Sequence, residues 1–419
     1  KEVRQLSKSK RVKLEKKIMI FLSSGIFVFS GLYADSVQAA PVFSSGSASD
    51  STVAGVNNTA SANSSSAFGY FNTASGLASS AFGWSNTASA ENASAFGYVN
   101  EASGLASSAI GFRNKAANEN ASAVGYGNEA GGVASSAFGF NNAAKMDYGS
   151  AFGYSNTAGG LASTAVGFRN TAASENASAV GYGNNAGGVA SSAFGFSNVA
   201  KVDYASAFGY SNEASGLASS AVGFRNKAAS ENASAVGYGN NANALAASAV
   251  GYNNTAGGVG SSTIGYNNTA TNENASAFGY GNTAGGLASS AFGFSNTASG
   301  DNANAFGYNN IASGSKSNVF GTGNTVSGSS STAVGTANEV AAENSTAIGN
   351  NNTISSGAEN SAALGNNISI SLKDSVALGN NSTATAINSV TGNSSYTKWA
   401  GVSDVVGVVS VGSSGATRQ

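Results

Sequence analysis

The sequence has no cysteine and no histidine among its 419 residues, a single proline, and a charged fraction of only 9%. Without cysteine, disulfides and thiolate nucleophiles are excluded, and without histidine so are the usual zinc sites and imidazole acid–base catalysis. We therefore expect no catalytic residue, no metal site and no cofactor, and we do not expect an enzyme. The near absence of proline, together with 22 phenylalanines and 15 tyrosines, also argues against a disordered chain.

Positive charge is concentrated at the N-terminus, where eight of the 19 lysines and arginines lie within residues 1–17. Beyond residue 40 the chain carries 11 basic and 17 acidic residues, a net charge of -6. This balance leaves no basic surface large enough to hold nucleic acid, so nucleic acid is not expected as a partner.

The first 39 residues have the three-part pattern of a secretory signal with an unusually long basic region. Its apolar part, residues 18–32, is shorter than the roughly 20 residues that cross a bilayer, and Pro41 favours cleavage after Ala39. We expect residues 1–39 to be an extended signal peptide of an exported protein and residues 40–52 to be a linker. A permanent membrane anchor is the alternative.

The rest of the sequence repeats with a period of 14. The glycine of an Ala-Phe-Gly tripeptide, or of a variant with Val, Ile or Leu in the middle, recurs without a break from Gly69 to Gly349. Gly55 extends the series backwards, and Gly365 and Gly379 extend it forwards after a two-residue insertion, which makes 24 units. Each unit reads Ser-Ala-Phe-Gly-Tyr-x-Asn-x-Ala and then a turn.

This unit predicts a coil of two short strands and two corners, because small and large residues alternate over a few positions and turn formers follow. Glycine in the middle of every apolar run disfavours a helix. The fold class is therefore all-β, a parallel solenoid of 14-residue coils. At about 4.8 Å per coil, 24 coils form a rod of roughly 115 Å.

An asparagine follows each repeat glycine by three residues, from Asn72 to Asn352. In stacked coils these side chains predict a ladder in which each amide bonds the next. The alternative is that asparagine is present because it tolerates left-handed turn geometry, and both explanations can hold together.

Both faces of the repeated strand are apolar, since Phe68 and Tyr70 share one face and Ala67 and Gly69 share the other. The residue after the glycine is aromatic in 18 successive units, from Tyr70 to Tyr308, and such a stripe exceeds the few hundred Å² of apolar surface that a soluble monomer exposes. We expect the stripe to be buried against identical rods, with the small Ala/Gly face also allowing close approach. The alternatives are that these rings form the core of the roll or an exposed binding stripe.

Beyond Gly321 the aromatic position becomes polar, which indicates a more polar rod with a different stacking ladder. The residues at this position are Thr322, Thr336, Asn350, Asn366 and Asn380. The predicted regions are an aromatic-rich β-roll head over residues 53–318, a polar continuation over 319–390 and the start of a neck over 391–419.

The units Ser66-Ala67-Phe68-Gly69 and Ser345-Thr346-Ala347-Ile348-Gly349 resemble the head repeats of YadA-like trimeric autotransporter adhesins, which share the period of 14. The resemblance covers residues 53–390, and the segments Val409-Ser410-Val411-Gly412 and Arg418-Gln419 resemble the start of the neck in that family. It implies a left-handed parallel β-roll, a homotrimer of three chains side by side, and display on the outer surface of a Gram-negative bacterium.

The resemblance also implies a function and a partner. Family members continue into a coiled-coil stalk and a C-terminal membrane anchor, so we expect this sequence to be the head portion of a longer protein that is attached to the outer membrane only through that anchor. The aromatic-rich and asparagine-rich repeats are similar to those of fusobacterial adhesins that bind carcinoembryonic-antigen-related cell adhesion molecules. A host surface glycoprotein of that class, or a matrix protein, is the implied partner.

A longer period of 56 residues, or four coils, places charged and aromatic residues at equivalent points about 19 Å apart. Repeated docking features raise avidity, and arginine and tyrosine dominate interface energetics. The candidate receptor-binding residues are Arg113, Arg169, Arg225, Lys145, Lys201, Tyr148 and Tyr204. Three acids recur with the same period, Glu119, Glu175 and Glu231. The alternative is an internal duplication that copied ordinary solvated charges, and charge reversal of the three arginines separates the two.

The predicted function is adhesion, by a rigid exported head that binds a host protein through many weak sites on its lateral surface. A purely structural or ice-binding solenoid is the alternative, and ice binding requires an exposed threonine array in every coil. A carbohydrate-active β-helix enzyme requires clustered carboxylates, whereas the acids recur four coils apart. The Gly-Gly-x-Gly-x-Asp unit of calcium-binding solenoids is absent from the sequence.

Overall fold

The computed structural model describes residues 43–385, 407–413 and 416–417. The expected signal peptide lies outside the described residues, and so does most of the expected neck. The described part of the chain contains strands and turns and no helix, which confirms the all-β fold class. Accordingly, it contains no helix with the length and hydropathy that a membrane crossing needs.

Each coil consists of a long strand, a first corner, a short strand and a second corner. In the coil that begins at Ser66, the long strand is Ser66–Tyr70 and the short strand is Thr73–Ala74. Both strands pair in parallel with their equivalents in the next coil, so that Ser66 lies opposite Ser80. The insertion leaves this register intact, with Thr346 opposite Ala362. The predicted parallel solenoid of 24 coils is therefore confirmed, while the left-handed winding and the homotrimer stay predictions.

The long strands, with a two-residue strand at either end of the stack, form one sheet of 26 strands. Their bounds are Ser44–Ser45, Thr52–Val56, Ser66–Tyr70, Ser80–Trp84, Ser94–Tyr98, Ser108–Phe112, Ser122–Tyr126, Ser136–Phe140, Ser150–Tyr154, Thr164–Phe168, Ser178–Tyr182, Ser192–Phe196, Ser206–Tyr210, Ser220–Phe224, Ser234–Tyr238, Ser248–Tyr252, Ser262–Tyr266, Ser276–Tyr280, Ser290–Phe294, Asn304–Tyr308, Asn318–Thr322, Thr332–Thr336, Thr346–Asn350, Ala362–Asn366, Val376–Leu378 and Val409–Ser410.

The short strands, two residues each, form the second sheet. Their bounds are Thr59–Ala60, Thr73–Ala74, Thr87–Ala88, Glu101–Ala102, Lys115–Ala116, Glu129–Ala130, Ala143–Ala144, Thr157–Ala158, Thr171–Ala172, Asn185–Ala186, Val199–Ala200, Glu213–Ala214, Lys227–Ala228, Asn241–Ala242, Thr255–Ala256, Thr269–Ala270, Thr283–Ala284, Thr297–Ala298, Ile311–Ala312, Thr325–Val326, Glu339–Val340, Thr353–Ile354, Ser369–Ile370 and Thr383–Ala384. A further hairpin pairs Gly412–Ser413 with Ala416–Thr417.

The interior of most coils is built from four small or polar residues. In the coil of Ser66 these are Ala67 from the long strand, Asn72 from the first corner, Ala74 from the short strand and Ser79 from the second corner, all fully buried. Alanine methyl groups leave no space for a ring between the two sheets, so every aromatic side chain of the repeat points outward.

Glycine in the long strand is required by the distance between coils. Gly69 has a φ of 117°, and a Cβ there would collide with the carbonyl oxygen of Gly83 in the next coil. The positive φ of Gly69 also interrupts the alternation of inward and outward residues along the strand. Gly69 is exposed, although Ala67, two positions earlier, is buried. The predicted Ala/Gly face is therefore wrong, since alanine lines the interior and glycine lies outside.

The interior becomes larger toward the C-terminal end of the stack. Val319, Val326, Val340, Ile354 and Ile370 replace alanine at inward strand positions and are fully buried. These coils therefore bury more apolar surface than the alanine-filled coils before them.

The N-terminal end of the stack is closed by a strand of opposite direction. Ser44–Ser45 pairs antiparallel with Thr52–Val56, within the segment expected to be a linker, and Phe43 packs edge-on against Phe68. The open edge of the first long strand is thus covered by the chain itself.

Candidate functional site

The repeated asparagine forms a buried ladder along the first corner. Asn86 Nδ2 donates to Asn72 Oδ1 at 2.9 Å, and the Asn86 backbone N–H donates to the same oxygen at 3.0 Å. Nδ2 also lies 2.7 Å from the carbonyl oxygen of Gly97. The pattern continues to Asn352, so the predicted ladder is confirmed. The left-handed residue is the one before each ladder asparagine, for example Ser85 with a φ of 55°, so the turn-tolerance explanation is wrong.

The outward aromatic residues form a continuous ring column, which runs from Tyr70 to Tyr308 over 18 coils. All 17 successive pairs are stacked, with centroids 4.2–6.2 Å apart. Each ring covers the faces of its neighbours, so the column presents edges to the outside. The hypothesis that these rings form the core of the roll is wrong, because alanine fills that space.

The outer side of the long strands, the long-strand face, is apolar. Beside the ring column runs a second column of phenylalanine, valine, isoleucine and leucine, in which Ile110 and Phe320 are both 41% exposed. The short-strand face is polar by contrast, with threonine at its outward position in 12 of the 24 short strands and no run of more than four. Threonine is therefore frequent on this face, yet it does not form the unbroken array that ice binding requires.

The predicted different stacking ladder is present in the coils of Asn350, Asn366 and Asn380, while the bounds of the polar region stay a prediction. In place of stacked rings, Asn350 Nδ2 donates to Asn366 Oδ1 at 2.8 Å, and Asn366 Nδ2 donates to Asn380 Oδ1 at 2.7 Å. Two coils with Thr322 and Thr336 at this position separate the ring column from this exposed amide ladder.

The three candidate arginines occupy the first corner, directly after the ring column. Their φ angles are 55° for Arg113, 53° for Arg169 and 53° for Arg225, which is left-handed geometry that arginine rarely adopts. Each guanidinium lies 5.1–5.2 Å from the centroid of the ring that precedes it in sequence, a cation–π contact. Among the described residues the two ion pairs are Lys115–Glu101 and Lys227–Glu213, so none of the three arginines is paired with an acid there.

The candidate lysines and tyrosines lie on the opposite side, in the second corner. Tyr148 and Tyr204 have φ angles of 60° and 58°, and they are 63% and 62% exposed. Lys145 and Lys201 are exposed at the start of the same corners. Between them, Asp147 Oδ1 accepts the Val133 backbone N–H at 2.8 Å, so this carboxylate has a structural role.

The structure does not bring all the candidate residues together. The arginines end the long strands, whereas the lysine–tyrosine corners precede long strands, so the two groups lie at opposite ends of the long-strand face. Within one chain the candidates therefore form two separate groups.

The second corner carries an alternation that the sequence analysis missed. From Leu77 to Leu245 the residue at its tip is aliphatic in one coil and acidic in the next, for example Leu105, Glu119, Val133 and Asp147. We call this row the second-corner ridge. A period of two coils was the available signal. The residue before the aliphatic tip is glycine from Gly76 to Gly216, and Gly104 makes room for the backbone of Asn118 in the following coil.

The described residues contain no group of three or more acidic side chains that could hold a metal ion. The acids of the second-corner ridge lie two coils apart, with an aliphatic residue between them. This ridge of the lateral surface therefore presents aliphatic and acidic side chains in alternation.

Comparison with protein families supplies the deciding observation. A family model described as the YadA head domain repeat, in two copies, matches nine segments of the chain. The segments are residues 74–99, 102–128, 158–184, 186–212, 214–240, 256–282, 284–310, 327–352 and 373–390. Together they cover more than half of the sequence. The chain belongs to the YadA head family.

It is therefore a YadA-like trimeric autotransporter adhesin head, as its motifs indicated. YadA-like heads are parts of exported, surface-displayed adhesins that form trimers and bind host surface molecules, and this is not a family of enzymes. No curated protein matches the chain closely enough to count as a relative.

Proposed function

We propose that this YadA head is a homotrimer that binds a host cell-surface or matrix protein through the second corners of its lateral surface. Lys145 and Tyr148 form one contact site, and Lys201 and Tyr204 form its copy four coils further on. The observation that carries this assignment is the exposed tyrosine at a left-handed backbone position.

Left-handed geometry recurs at this position of the second corner, where the coils with an aliphatic tip have alanine, for example Ala134 and Ala162 with φ angles of 52°. Other coils with an acidic tip have asparagine there, for example Asn120, Asn176 and Asn232, with φ angles of 55–56°. A tyrosine at this position stores backbone strain and exposes most of a large ring, since Tyr148 and Tyr204 are 63% and 62% exposed. Strained, exposed residues of interface-forming types support a role in recognition.

The spacing of the two sites supports multivalent binding. Four coils separate Tyr148 from Tyr204, about 19 Å at ~4.8 Å per coil, and a trimer presents six such sites. Weak contacts in parallel raise the avidity for a dense layer of receptors.

Double substitution of the tyrosines tests the site. Tyr148→Asn together with Tyr204→Asn should weaken binding about tenfold or more, because the ring anchors are lost. The probes are the purified ectodomain of a carcinoembryonic-antigen-related cell adhesion molecule, the class to which the sequence resemblance points, and cultured epithelial cells.

The matched control is Phe71→Asn, which removes an exposed ring from a left-handed position of the first corner. Its binding should equal that of the unmodified head. Undiminished binding by the double tyrosine variant to a probe that the unmodified head captures would remove these corners from the receptor site.

The proposed homotrimer buries the long-strand face. Ten of the 18 rings in the column are 38–53% exposed, and an aromatic side chain carries about 150–250 Å², so the column exposes on the order of 1,000 Å² of ring surface. A monomer tolerates patches of about 300–600 Å², and a standard interface needs about 800 Å² per partner. Light scattering after size-exclusion chromatography measures the assembly directly, and a folded monomer would contradict it.

A further inference from the structure

We infer that Arg113, Arg169 and Arg225 form ion pairs with acids of a second copy of this chain, at the seam between neighbouring subunits of the trimer. The pairs are Arg113 with Glu119 of the partner subunit, Arg169 with Glu175 of the partner subunit, and Arg225 with Glu231 of the partner subunit. The inference rests on the proposed trimer packed through its long-strand faces.

Three-fold symmetry brings the two corners of neighbouring chains together. When three long-strand faces surround one axis, rotation by 120° sets the end of each strand against the beginning of the next, a head-to-tail contact that closes after three chains. Arg113 follows the end of Ser108–Phe112, so it belongs to the first corner, and the second corner precedes each long strand. The first corner of one chain therefore faces the second-corner ridge of its neighbour, at the outer edge of the seam and next to the tyrosines that are proposed to contact the receptor.

The heights of the charged groups agree with this contact. Arg113 and Glu119 belong to the same coil and are six positions apart in a period of 14. At ~4.8 Å per coil this separation corresponds to roughly 2 Å along the axis. The same interval separates Arg169 from Glu175 and Arg225 from Glu231.

Both partners are available within each chain. Each guanidinium is oriented by its cation–π contact but has no acidic partner among the described residues, and Gly127, one coil above Arg113, leaves that side uncovered. Glu119 is exposed, and its side chain accepts a bond from the amide of the adjacent Asn120 at 3.4 Å. Each side of the contact thus supplies a charge that lacks an opposite charge in the described part of its own chain.

The second-corner ridge offers each arginine one acidic and one aliphatic tip at similar heights. Arg113 stands six positions before Glu119 and eight positions after Leu105, which corresponds to roughly 2 Å and 3 Å along the axis at ~4.8 Å per coil. The guanidinium pairs with the acid, because an unpaired charge at an interface is costly.

A charge exchange tests the inference. One variant carries Arg113→Glu, Arg169→Glu and Arg225→Glu, a second carries Glu119→Arg, Glu175→Arg and Glu231→Arg, and a third carries all six changes. Each triple reversal should weaken trimer association about 10–100-fold in sedimentation equilibrium, because nine pairs per trimer become repulsive. The variant with all six changes should restore it.

The matched control is Lys115→Glu with Lys227→Glu, which reverses charges that are paired within the chain on the short-strand face. Trimer association should not change. Far-UV circular dichroism on every variant verifies that the coils are folded.

The absence of cysteine from the sequence permits a second measurement. A chain with Arg169→Cys and Glu175→Cys, treated with a short bismaleimide, should give covalent trimers. A chain with Arg169→Cys and Val189→Cys, in which the second thiol lies one coil further along, should give far fewer.

Two outcomes separate the inference from the proposed trimer on which it rests. A monomeric unmodified head would overturn both the trimer and the pairing. A stable trimer that neither triple reversal weakens, or that the exchange of all six charges does not restore, would overturn the pairing alone.

Discussion

Single side chains in this protein depend on the coil above and the coil below. Asn198 illustrates this, because its side chain donates to Asn184 Oδ1 and to the Gly209 carbonyl oxygen, and its own Oδ1 accepts the Asn212 N–H. Burial leaves these groups without water. One side chain therefore satisfies polar groups in three successive coils.

Removal of one ladder side chain should be costly. Asn198→Ala leaves the Asn212 N–H and the Gly209 carbonyl without the partner that the side chain supplied, so the free energy of unfolding should fall by about 3 kcal/mol or more. Asn185→Ala, at an exposed strand position, should change it by less than about 0.5 kcal/mol. Urea unfolding followed by circular dichroism measures both, and equal losses in the two variants would contradict the role of the ladder.

Relief of backbone strain should stabilise the head while it weakens adhesion. Tyr204→Asn gives a left-handed position to the residue type that tolerates it, so stability should rise by about 0.5–1 kcal/mol. The reverse change in an equivalent corner, Asn176→Tyr, should lower stability by a similar amount. In thermal unfolding the melting temperature should rise for Tyr204→Asn and fall for Asn176→Tyr. A lower melting temperature of Tyr204→Asn would show that packing of the tyrosine stabilises the head.

Whole strands differ in how much they contribute, although their backbones are alike. The coils from Ala67 to Ala312 hold only alanine at their inward strand positions apart from Thr263, whereas each coil from Val319 to Ile370 holds valine or isoleucine in at least one of them. Apolar burial scales with the area removed from water, at about 25 cal/mol per Å². The C-terminal coils are therefore the most strongly stabilised part of the roll.

Truncation inside and outside one coil should give different results. Ile354→Ala empties a fully buried position and should cost about 2–4 kcal/mol, while Ile348→Ala in the same coil removes a side chain that is 42% exposed and should cost far less in the isolated chain. Thermal unfolding of the two variants at equal concentration compares them. Similar melting temperatures would mean that the interior side chains do not dominate stability.

The sequence was sufficient to predict the period, the two strands, the asparagine ladder and the polar end. In a stack in register each residue contacts the equivalent residue of the next coil, so the same residue type recurs at that position. The assignment of faces could not be predicted, since Ala67 and Phe68 are both apolar and the positive φ of Gly69 alters which residues point inward. The left-handed backbone of the corners could not be predicted either. Arg113 and Tyr148, which rarely adopt this geometry, occupy corner positions that hold glycine or asparagine in other coils.

At the scale of the whole molecule, the head is a one-dimensional array in which each coil pairs only with its neighbours in the stack. Stability in such arrays is close to a sum of local and nearest-neighbour contributions. The four-coil period therefore defines a segment that can be removed without creating a new kind of contact between coils.

Deletion of residues 164–219 should leave a folded, shorter roll. The four coils removed begin with the strand Thr164–Phe168 and end before the strand Ser220–Phe224. After the deletion, Ser220–Phe224 occupies the place in the stack that Thr164–Phe168 had. Small-angle scattering should show a maximum dimension smaller by about 19 Å. A deletion that ends inside a coil, residues 164–213, breaks the register and should give an aggregated product; equal behaviour of the two deletions would contradict strict stacking.

The antiparallel strand Ser44–Ser45 has a consequence for the size of the assembly. The exposed edge of one coil can pair with a near-identical coil of another molecule. If the first coil were uncovered, the last coil of a second molecule could pair with it, and repeated pairing of this kind would form a fibre. Because the capping strand runs against the direction of the sheet, the next molecule finds no parallel edge to extend. A bacterial surface can thus carry many such heads at high density while each keeps a finite length.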